Sequence, residues 1–200
     1  MSARDRVLGR VRAALLSKPA ADHPGDFGGW RPEGSSTDPG AVDLLRERLE
    51  AAGAEFVRLA DAAAVGAWLA DFARDFASMT VGRGVPAALR PDLPETDAAE
   101  ADLGISVARG AIAETGSLMM DARDGRRSQL LAPTHVVLVR AEDVHATFRD
   151  ALLTVRGDLP SAIGLHSGPS KSADIAQTMV KGVHGPGRLV AVVHGGGGDA

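Results

Sequence analysis

The sequence predicts an α/β protein with a mostly parallel sheet and helices on both faces. Strand-like and helix-like segments alternate along the chain from residue 42 onward, which is the pattern of parallel α/β folds. Two segments, "THVVLVR" at 134–140 and "RLVAVVH" at 188–194, are almost continuously apolar, as expected of strands buried on both faces. Ligands of such sheets bind beyond the carboxyl ends of the strands, so a site is expected in the loops at those ends.

The first forty residues differ from the rest of the chain. Ser2 and Asp5 form a capping-box pair ahead of apolar residues at helical spacing, which predicts an N-terminal helix. Four prolines and five glycines between residues 18 and 40 are typical of an extended arm, with Phe27 and Trp30 as anchors on a surface or on a neighbouring subunit. A disordered tether is the alternative. We predict two parts, the helix and arm at 1–40 and one α/β domain at 41–200.

The remaining elements follow in order. Asp38-Pro39 predicts a helix start and Gly53 its end, and a second amphipathic helix covers residues 65–76. Two later helices are predicted, one with apolar residues at helical spacing over 144–155 and one over 172–181. The predicted strands are "EFVRLA", "SMTVGRG", two within "ADLGISVARGAIAETGSLMM", "THVVLVR", "SAIGLHSG" and "RLVAVVH".

Composition narrows the classes of function. The net charge of −4 and the few aromatic residues, with no Tyr, argue against nucleic-acid binding or a membrane-surface role. The chain contains no cysteine, so it has no thiolate ligands for an iron–sulfur cluster, and no cofactor is expected within this chain. The N-terminus lacks the apolar core of a signal peptide, and no segment approaches the ~20 apolar residues of a membrane span. We therefore expect a cytoplasmic protein.

The segment "AIAETGSLMM", residues 111–120, contains the first candidate functional residues. A regular strand would place Glu114 and Gly116 on one face among apolar neighbours, where a carboxylate needs a partner or takes up a proton. Gly116 would let a ligand or another backbone approach closely. Glu114 is the candidate base or polar switch, and Thr115, Gly116 and Ser117 are candidate ligand-binding residues. The alternative is a bulge at Thr115-Gly116 that turns Glu114 toward solvent.

The segment "SGPSKSADIAQTM", residues 167–179, contains the second group. Its pattern predicts a helix from Ser172 to Lys181. The start of a helix carries unpaired N–H groups and a partial positive charge, which attract phosphate or carboxylate. Helix capping by a serine is the alternative. The candidate anion-binding residues are Gly168, Ser170, Lys171 and Ser172.

Three weaker signals accompany these segments. His184, in "KGVHGPG", is a secondary candidate acid or base, although it would also serve to cap the last carbonyls of the predicted helix. The loop 82–84 follows a predicted strand, and "RDGRR" at 123–127 is either a charged turn or a basic rim of the cleft. The six histidines have no metal-ligand spacing, so no metal site is indicated.

Three motifs, "AIAETGSL", "GPSKSADI" and "GVHGPG", occur in this order, and together they resemble the LUD-domain family. The nearest subgroup is the lactate utilization protein C (LutC/YkgG) type. The resemblance covers roughly Val42 to His194. Ser117 and Lys171-Ser172 stand where many relatives have Thr and Arg-Thr, which preserves the hydroxyls and the cation, whereas Ala176 replaces an acid.

The resemblance implies a fold of the NagB/RpiA/CoA-transferase-like group, a three-layer α/β/α sandwich. It also implies a part in converting L-lactate to pyruvate, beside iron–sulfur partner proteins, with a small anionic ligand. Two other functions stay open. One is a stand-alone acyl- or phospho-compound transferase with Glu114 as nucleophile. The other is a non-catalytic assembly protein that docks partners through the Phe27/Trp30 arm. Whether the chain forms a homo-oligomer is also left open by the sequence.

Overall fold

The computed structural model describes residues 2–16, 40–173 and 179–195. None of the helices in these ranges is long and apolar enough to cross a membrane. The helices are α1 (Ala3–Leu16), α2 (Ala41–Ala51), α3 (Ala62–Phe72), α4 (Ala122–Leu130) and α5 (Phe148–Val155). The strands are β1 (Glu55–Leu59), β2 (Met79–Val81), β3 (Leu103–Val107), β4 (Gly110–Ile112), β5 (Ser117–Asp121), β6 (Thr134–Arg140), β7 (Val144–His145), β8 (Ile163–His166), β9 (Lys171–Ala173), β10 (Met179–Lys181) and β11 (Arg188–His194).

Helix α1 forms as its capping box predicts. The backbone N–H of Asp5 donates to Ser2 Oγ (3.1 Å) and the N–H of Ser2 donates to Asp5 Oδ2 (2.9 Å). The chain divides into two compact units, Met1–Glu33 and Gly34–Ala200. The predicted arm, with Phe27 and Trp30, lies outside the described residues, so the arm and the boundary between 40 and 41 stay predictions.

A five-stranded sheet forms the centre of the α/β unit. Its order is β1-β11-β6-β3-β2, and all of its strand pairs are parallel. The two continuous apolar runs, β6 and β11, are neighbours in the middle of this sheet, and their interior residues are buried. The predicted α/β class and parallel sheet are therefore confirmed.

The two faces of this sheet are covered differently. One face packs on α3 and on the segment 85–89, around Val136, Leu138 and Val192. The other face packs on α2 and on a second sheet, around Val137 and Val139.

The second sheet has the order β7-β4-β5-β8 and is mixed. Helix α5 covers its far side through Ala151 and Val155, which pack on Ile112 and Met119. One outer layer of the expected sandwich therefore combines a helix with a small sheet. The segment 103–121 accordingly contains three strands, where the sequence pattern predicted two.

The predicted helix from Ser172 to Lys181 is wrong. Strands β9 and β10 pair antiparallel instead, with Lys171 opposite Lys181 and Ser172 opposite Val180; residues 174–178 lie outside the described residues. Gly182 follows β10 with φ of +80°. Two further segments differ less from the sequence prediction. Helix α5 begins at Phe148, after the short strand β7, and not at 144. The segment "RDGRR" lies in helix α4, which is kinked at Gly125 (φ +128°).

Candidate functional site

Glu114 lies in the tight turn of the β4–β5 hairpin. Strand β4 ends at Ile112 and β5 begins at Ser117, so of the two alternatives for this segment the regular strand through Glu114 is not found. Its half-buried side chain reaches the start of α5, where Oε1 accepts the backbone N–H of Phe148 (2.6 Å). A carboxylate is favourable at a helix start because the N–H groups there are unpaired and the helix dipole is positive. Glu114 therefore caps the N-terminus of α5 through Oε1, and no described residue donates to its second oxygen, Oε2.

Gly116 allows this turn to pack directly on helix α2. Its φ is +62°, in the left-handed region that favours glycine. A Cβ at this position would come within 2.5 Å of Arg48 Cβ and 3.0 Å of the Arg48 carbonyl carbon. The predicted close backbone approach is therefore found, and the backbone that approaches is that of α2.

Three hydroxyl groups form a chain across the two motif segments. Thr115 Oγ1 lies 2.7 Å from Ser117 Oγ, which lies 2.6 Å from Ser167 Oγ. Ser117 is buried, whereas Thr115 and Ser167 at the two ends are exposed. Each hydroxyl has one proton to donate, and the two hydrogen bonds use two of the three protons. When Ser117 donates to one of its neighbours, the O–H of that neighbour, at an exposed end, remains available for an acceptor. We call Thr115, Ser117 and Ser167 the hydroxyl chain.

Lys171 lies at the C-terminal end of α2. The sequence pattern had placed it at the N-terminal start of a helix. Its Nζ donates to the carbonyl oxygen of Ala52, the C-cap residue of α2. A helix C-terminus is partially negative, so a lysine stabilises it. Gly168 packs beside the same end, since a Cβ there would lie 3.0 Å from Ala52 Cβ at a φ of +125°. The predicted electropositive helix start at Lys171 and Ser172 is consequently absent from the described residues.

Ser170 contacts His184 through a hydrogen bond between its side chain and the backbone of His184. The N–H of His184 donates to Ser170 Oγ (3.3 Å), and the N–H of Ser170 donates to the Pro186 carbonyl (2.8 Å). The His184 side chain is exposed. Ser170 therefore holds the 182–187 loop, and Ser172 contributes to the β9–β10 ladder.

The two predicted segments do come together, against the last turn of α2. The turn at Gly116 packs on Arg48, and the loop at Gly168 packs on Ala52, one helical turn further on. Their direct link is the bond between Ser117 and Ser167. Sequence reasoning missed Ser167 as a site residue, although it opens the segment that was singled out.

A half-buried histidine, His166, lies next to the hydroxyl chain in the sequence. His166 precedes Ser167, and burial lowers its pKa, so its imidazole is neutral at pH 7. Its ring packs edge-on against that of His135, with 5.9 Å between the centroids. The described residues contain no group of three or more His, Asp or Glu placed to hold a metal ion. Thiolate ligation is excluded within this chain, which has no cysteine.

The described structure defines a class of α/β protein in which a small mixed sheet, packed beside a parallel one, brings two serine- and glycine-bearing segments to the end of one helix. The chain belongs to the LUD domain family. The family model of the LUD domain matches residues 94–193, which is half of the chain and includes the hydroxyl chain. This confirms the resemblance drawn from the three motifs.

The relatives and a solved structure agree with this assignment. Lactate utilization protein C of Deinococcus radiodurans is 38% identical over 125 residues, which cover 58% of this chain and 57% of that protein. The protein of the same name from Halalkalibacterium halodurans is 36% identical over 104 residues, covering 48% of this chain and 45% of the relative. The chain thus spans about half the length of the curated relatives it matches.

The fold is shared with the crystal structure of a DUF162 family protein from Deinococcus radiodurans. The two chains superpose with a TM-score of 0.62 at 23% identity, over 78% of this chain and 96% of the other. At this identity the likeness establishes the α/β architecture.

Proposed function

We propose that this chain takes part in lactate utilization, as a cytoplasmic subunit of a system that oxidises L-lactate to pyruvate. Its family membership and the name of its relatives, lactate utilization protein C, support this assignment. The oxidation removes two electrons and two protons from the substrate. In this proposal iron–sulfur partner proteins take the electrons, since the chain itself lacks cysteine.

The observation that carries the proposal is the hydroxyl chain. Its leftover O–H matches the carboxylate of a 2-hydroxy acid, which accepts hydrogen bonds. Lys171, at the start of β9 four residues after Ser167, adds a cation, and two of its three ammonium protons are not used by the Ala52 carbonyl. We therefore place the small anion at the exposed edge formed by Thr115, Ser167 and Lys171.

Glu114 would act beside this anion as a base or polar switch. One of its oxygens caps α5, while no described residue donates to Oε2. That oxygen is an acceptor for the hydroxyl proton of lactate. Capping fixes the orientation of the carboxylate, which favours a positioned base.

The test is growth on L-lactate of a host strain that lacks its own copy of this chain and carries a variant. Thr115→Val with Ser117→Ala should abolish growth on lactate and weaken L-lactate binding in calorimetry, because the two hydroxyls are lost. Thr154→Val removes a hydroxyl that bonds only the Ala151 carbonyl within α5 and is the matched control. Growth as fast as wild type for the double variant would contradict the proposal.

Glu114→Gln separates chemistry from folding. The amide oxygen still accepts the Phe148 N–H, so the fold should survive, while the base is lost. Loss of growth with an unchanged melting temperature supports the assigned role. A covalent adduct on Glu114, detected by mass spectrometry, would instead identify the residue as a transferase nucleophile.

A further inference from the structure

Two neighbouring cavities lie at the carboxyl edge of the parallel sheet and share no residue with the hydroxyl chain. Their volumes are about 450 and 410 Å³, within the size range of small-molecule sites. The end of β2 with the loop that follows it, the end of β3 and helix α4 contribute to their walls. Arg83 lines both cavities, so we call them the Arg83 cavities.

The chain leaves the neighbouring strands β2 and β3 toward opposite faces of the sheet. After β2, Val85 packs on the face that α3 covers. After β3, Ala108 packs on the other face, with the buried residues of α2. Loops that diverge in this way open a crevice beyond the carboxyl ends of their strands, which is where open α/β sheets bind ligands. The Arg83 cavities lie in this crevice.

The loop after β2 holds the backbone of Arg83 in a fixed position at the cavities. The N–H of Gly82 donates to the Ile105 carbonyl (2.7 Å), and the N–H of Arg83 donates to the Asp124 carbonyl (2.7 Å). The N–H of Gly84 donates to Asp124 Oδ1 (2.6 Å). Asp124 is therefore the anchor of the loop. A side chain on a backbone that is already fixed loses less freedom when a ligand binds.

Arginines outnumber the acids around the cavities. Five arginines and three aspartates line them, whereas the whole chain has a net charge of −4. Three of these arginines are already paired. Arg109 and Arg123 contact Asp121, and Arg127 contacts Asp97, at 2.6 to 3.3 Å. The local excess of positive charge therefore comes from the other two arginines.

Those two arginines, Arg83 and Arg126, are exposed and form no ion pair with any described residue. Both line the smaller cavity, together with the hydroxyl-bearing Thr80, Thr96 and Ser128. A guanidinium group binds phosphate through two parallel N–H donors. Two such groups match the charge of a phosphate monoester, about −1.5 to −2 at pH 7. A single carboxylate would leave one of the two arginines without a partner.

We propose that the Arg83 cavities bind an organic phosphate. The phosphate group occupies the smaller cavity and bonds to Arg83 and Arg126, and the hydroxyls of that cavity complete its hydrogen bonds. The organic part extends into the larger cavity, where Val107 and Ala108 supply apolar surface. This proposal does not rest on the proposed function, because no residue of the hydroxyl chain takes part in it.

A matched set of probes tests this through the amide NMR signals of the whole chain, at constant ionic strength. Phenyl phosphate carries a dianion, benzoate carries one carboxylate on the same ring, and benzyl alcohol carries no charge. Phenyl phosphate should shift the signals of Arg83, Gly84 and Gly125. It should bind at least tenfold more tightly than benzoate, since one further hydrogen-bonded charge is worth about tenfold or more. Unmoved signals at millimolar phenyl phosphate, or equal binding of benzoate or benzyl alcohol, overturn the proposal.

Single substitutions assign the roles. Arg83→Ala and Arg126→Ala, both at exposed positions, should each keep the wild-type melting temperature and weaken phenyl phosphate about tenfold. Arg156→Ala removes an exposed arginine that lines neither cavity and should change nothing. Unchanged binding in either cavity variant, or an equal loss in Arg156→Ala, overturns the proposal. The variant with Thr115→Val and Ser117→Ala should bind phenyl phosphate as the wild type does, so this proposal and the proposed function fail independently.

Discussion

Acidification should destabilise the protein through one histidine in the central sheet. His135 lies in β6 with no exposed surface. Its Nε2 is 3.0 Å from Ser106 Oγ, and its Nδ1 has no partner among the described residues. Burial, reinforced by the charge that His166 would carry, lowers the pKa of His135 from 6.5 to about 3. The folded protein therefore holds the neutral imidazole.

The magnitude follows from the two pKa values. The folded-state pKa is depressed, so the contribution of His135 is fully present above pH 6.5 and is lost as the pH falls. At pH 5 the unfolded chain is protonated at this residue and the folded protein is not, which costs about 2 kcal/mol relative to pH 7.5. The figure is nearly the same for any folded pKa below about 4, because the folded state stays neutral at pH 5.

The titration of Glu55 does not contribute to the change in stability between pH 7.5 and 5.0. The pKa of Glu55 is lowered from 4.5, chiefly by its hydrogen bonds from Arg188. Its contribution is therefore present above pH 4.5 and is lost only in more acidic solution. The pKa values of His145 and His166 are also lowered by burial, so the comparison must be made between variants that retain both.

The assay is urea unfolding followed by circular dichroism at pH 7.5 and 5.0, for wild type and His135→Gln. Glutamine places an amide near the position of Nε2 and does not titrate. The wild type should lose about 2 kcal/mol more than the variant between the two pH values. His184→Gln removes an exposed histidine and is the control. Equal losses in wild type and His135→Gln would refute a buried neutral imidazole.

Substitutions at three positions of the motif segments should change stability. Gly116→Ala should cost about 2–4 kcal/mol of unfolding free energy, from the left-handed φ and the contact with Arg48; a wild-type melting curve would contradict this packing. Glu114→Ala should cost about 1 kcal/mol by exposing the Phe148 N–H, and Glu114→Gln much less, so equal losses in urea unfolding would reject the cap. Lys171→Met should cost about 0.5–1 kcal/mol at the end of α2; an unchanged unfolding midpoint would show that this contact contributes nothing.

The strands could be predicted wherever local pattern and burial agree. The runs 134–140 and 188–194 are apolar at nearly every position, and the structure has strands with these bounds. Their parallel pairing follows from the alternation of helices and strands. The capping box at Ser2 could also be predicted from the sequence, because both partners lie within one helical turn.

The site could be predicted only in part, because its contacts join distant residues. Ser117 and Ser167 are fifty positions apart, and no local pattern shows that their hydroxyls meet. The helix expected at 172–181 had good local signals, yet strand pairing and the contact of Lys171 with α2 determine the conformation. Tertiary context overrides local propensity in such segments.

Charged residues of the motifs bind helix ends inside the protein itself. Glu114 bonds to the start of α5, and Lys171 bonds to the end of α2, each with the sign that the helix dipole favours. Removing either charge therefore perturbs the fold as well as any ligand. Substitutions that truncate these side chains change both stability and any ligand contact, whereas Glu114→Gln, which keeps the cap, changes the base alone. The hydroxyl chain has no helix end to support, so its loss is the more direct test of ligand binding.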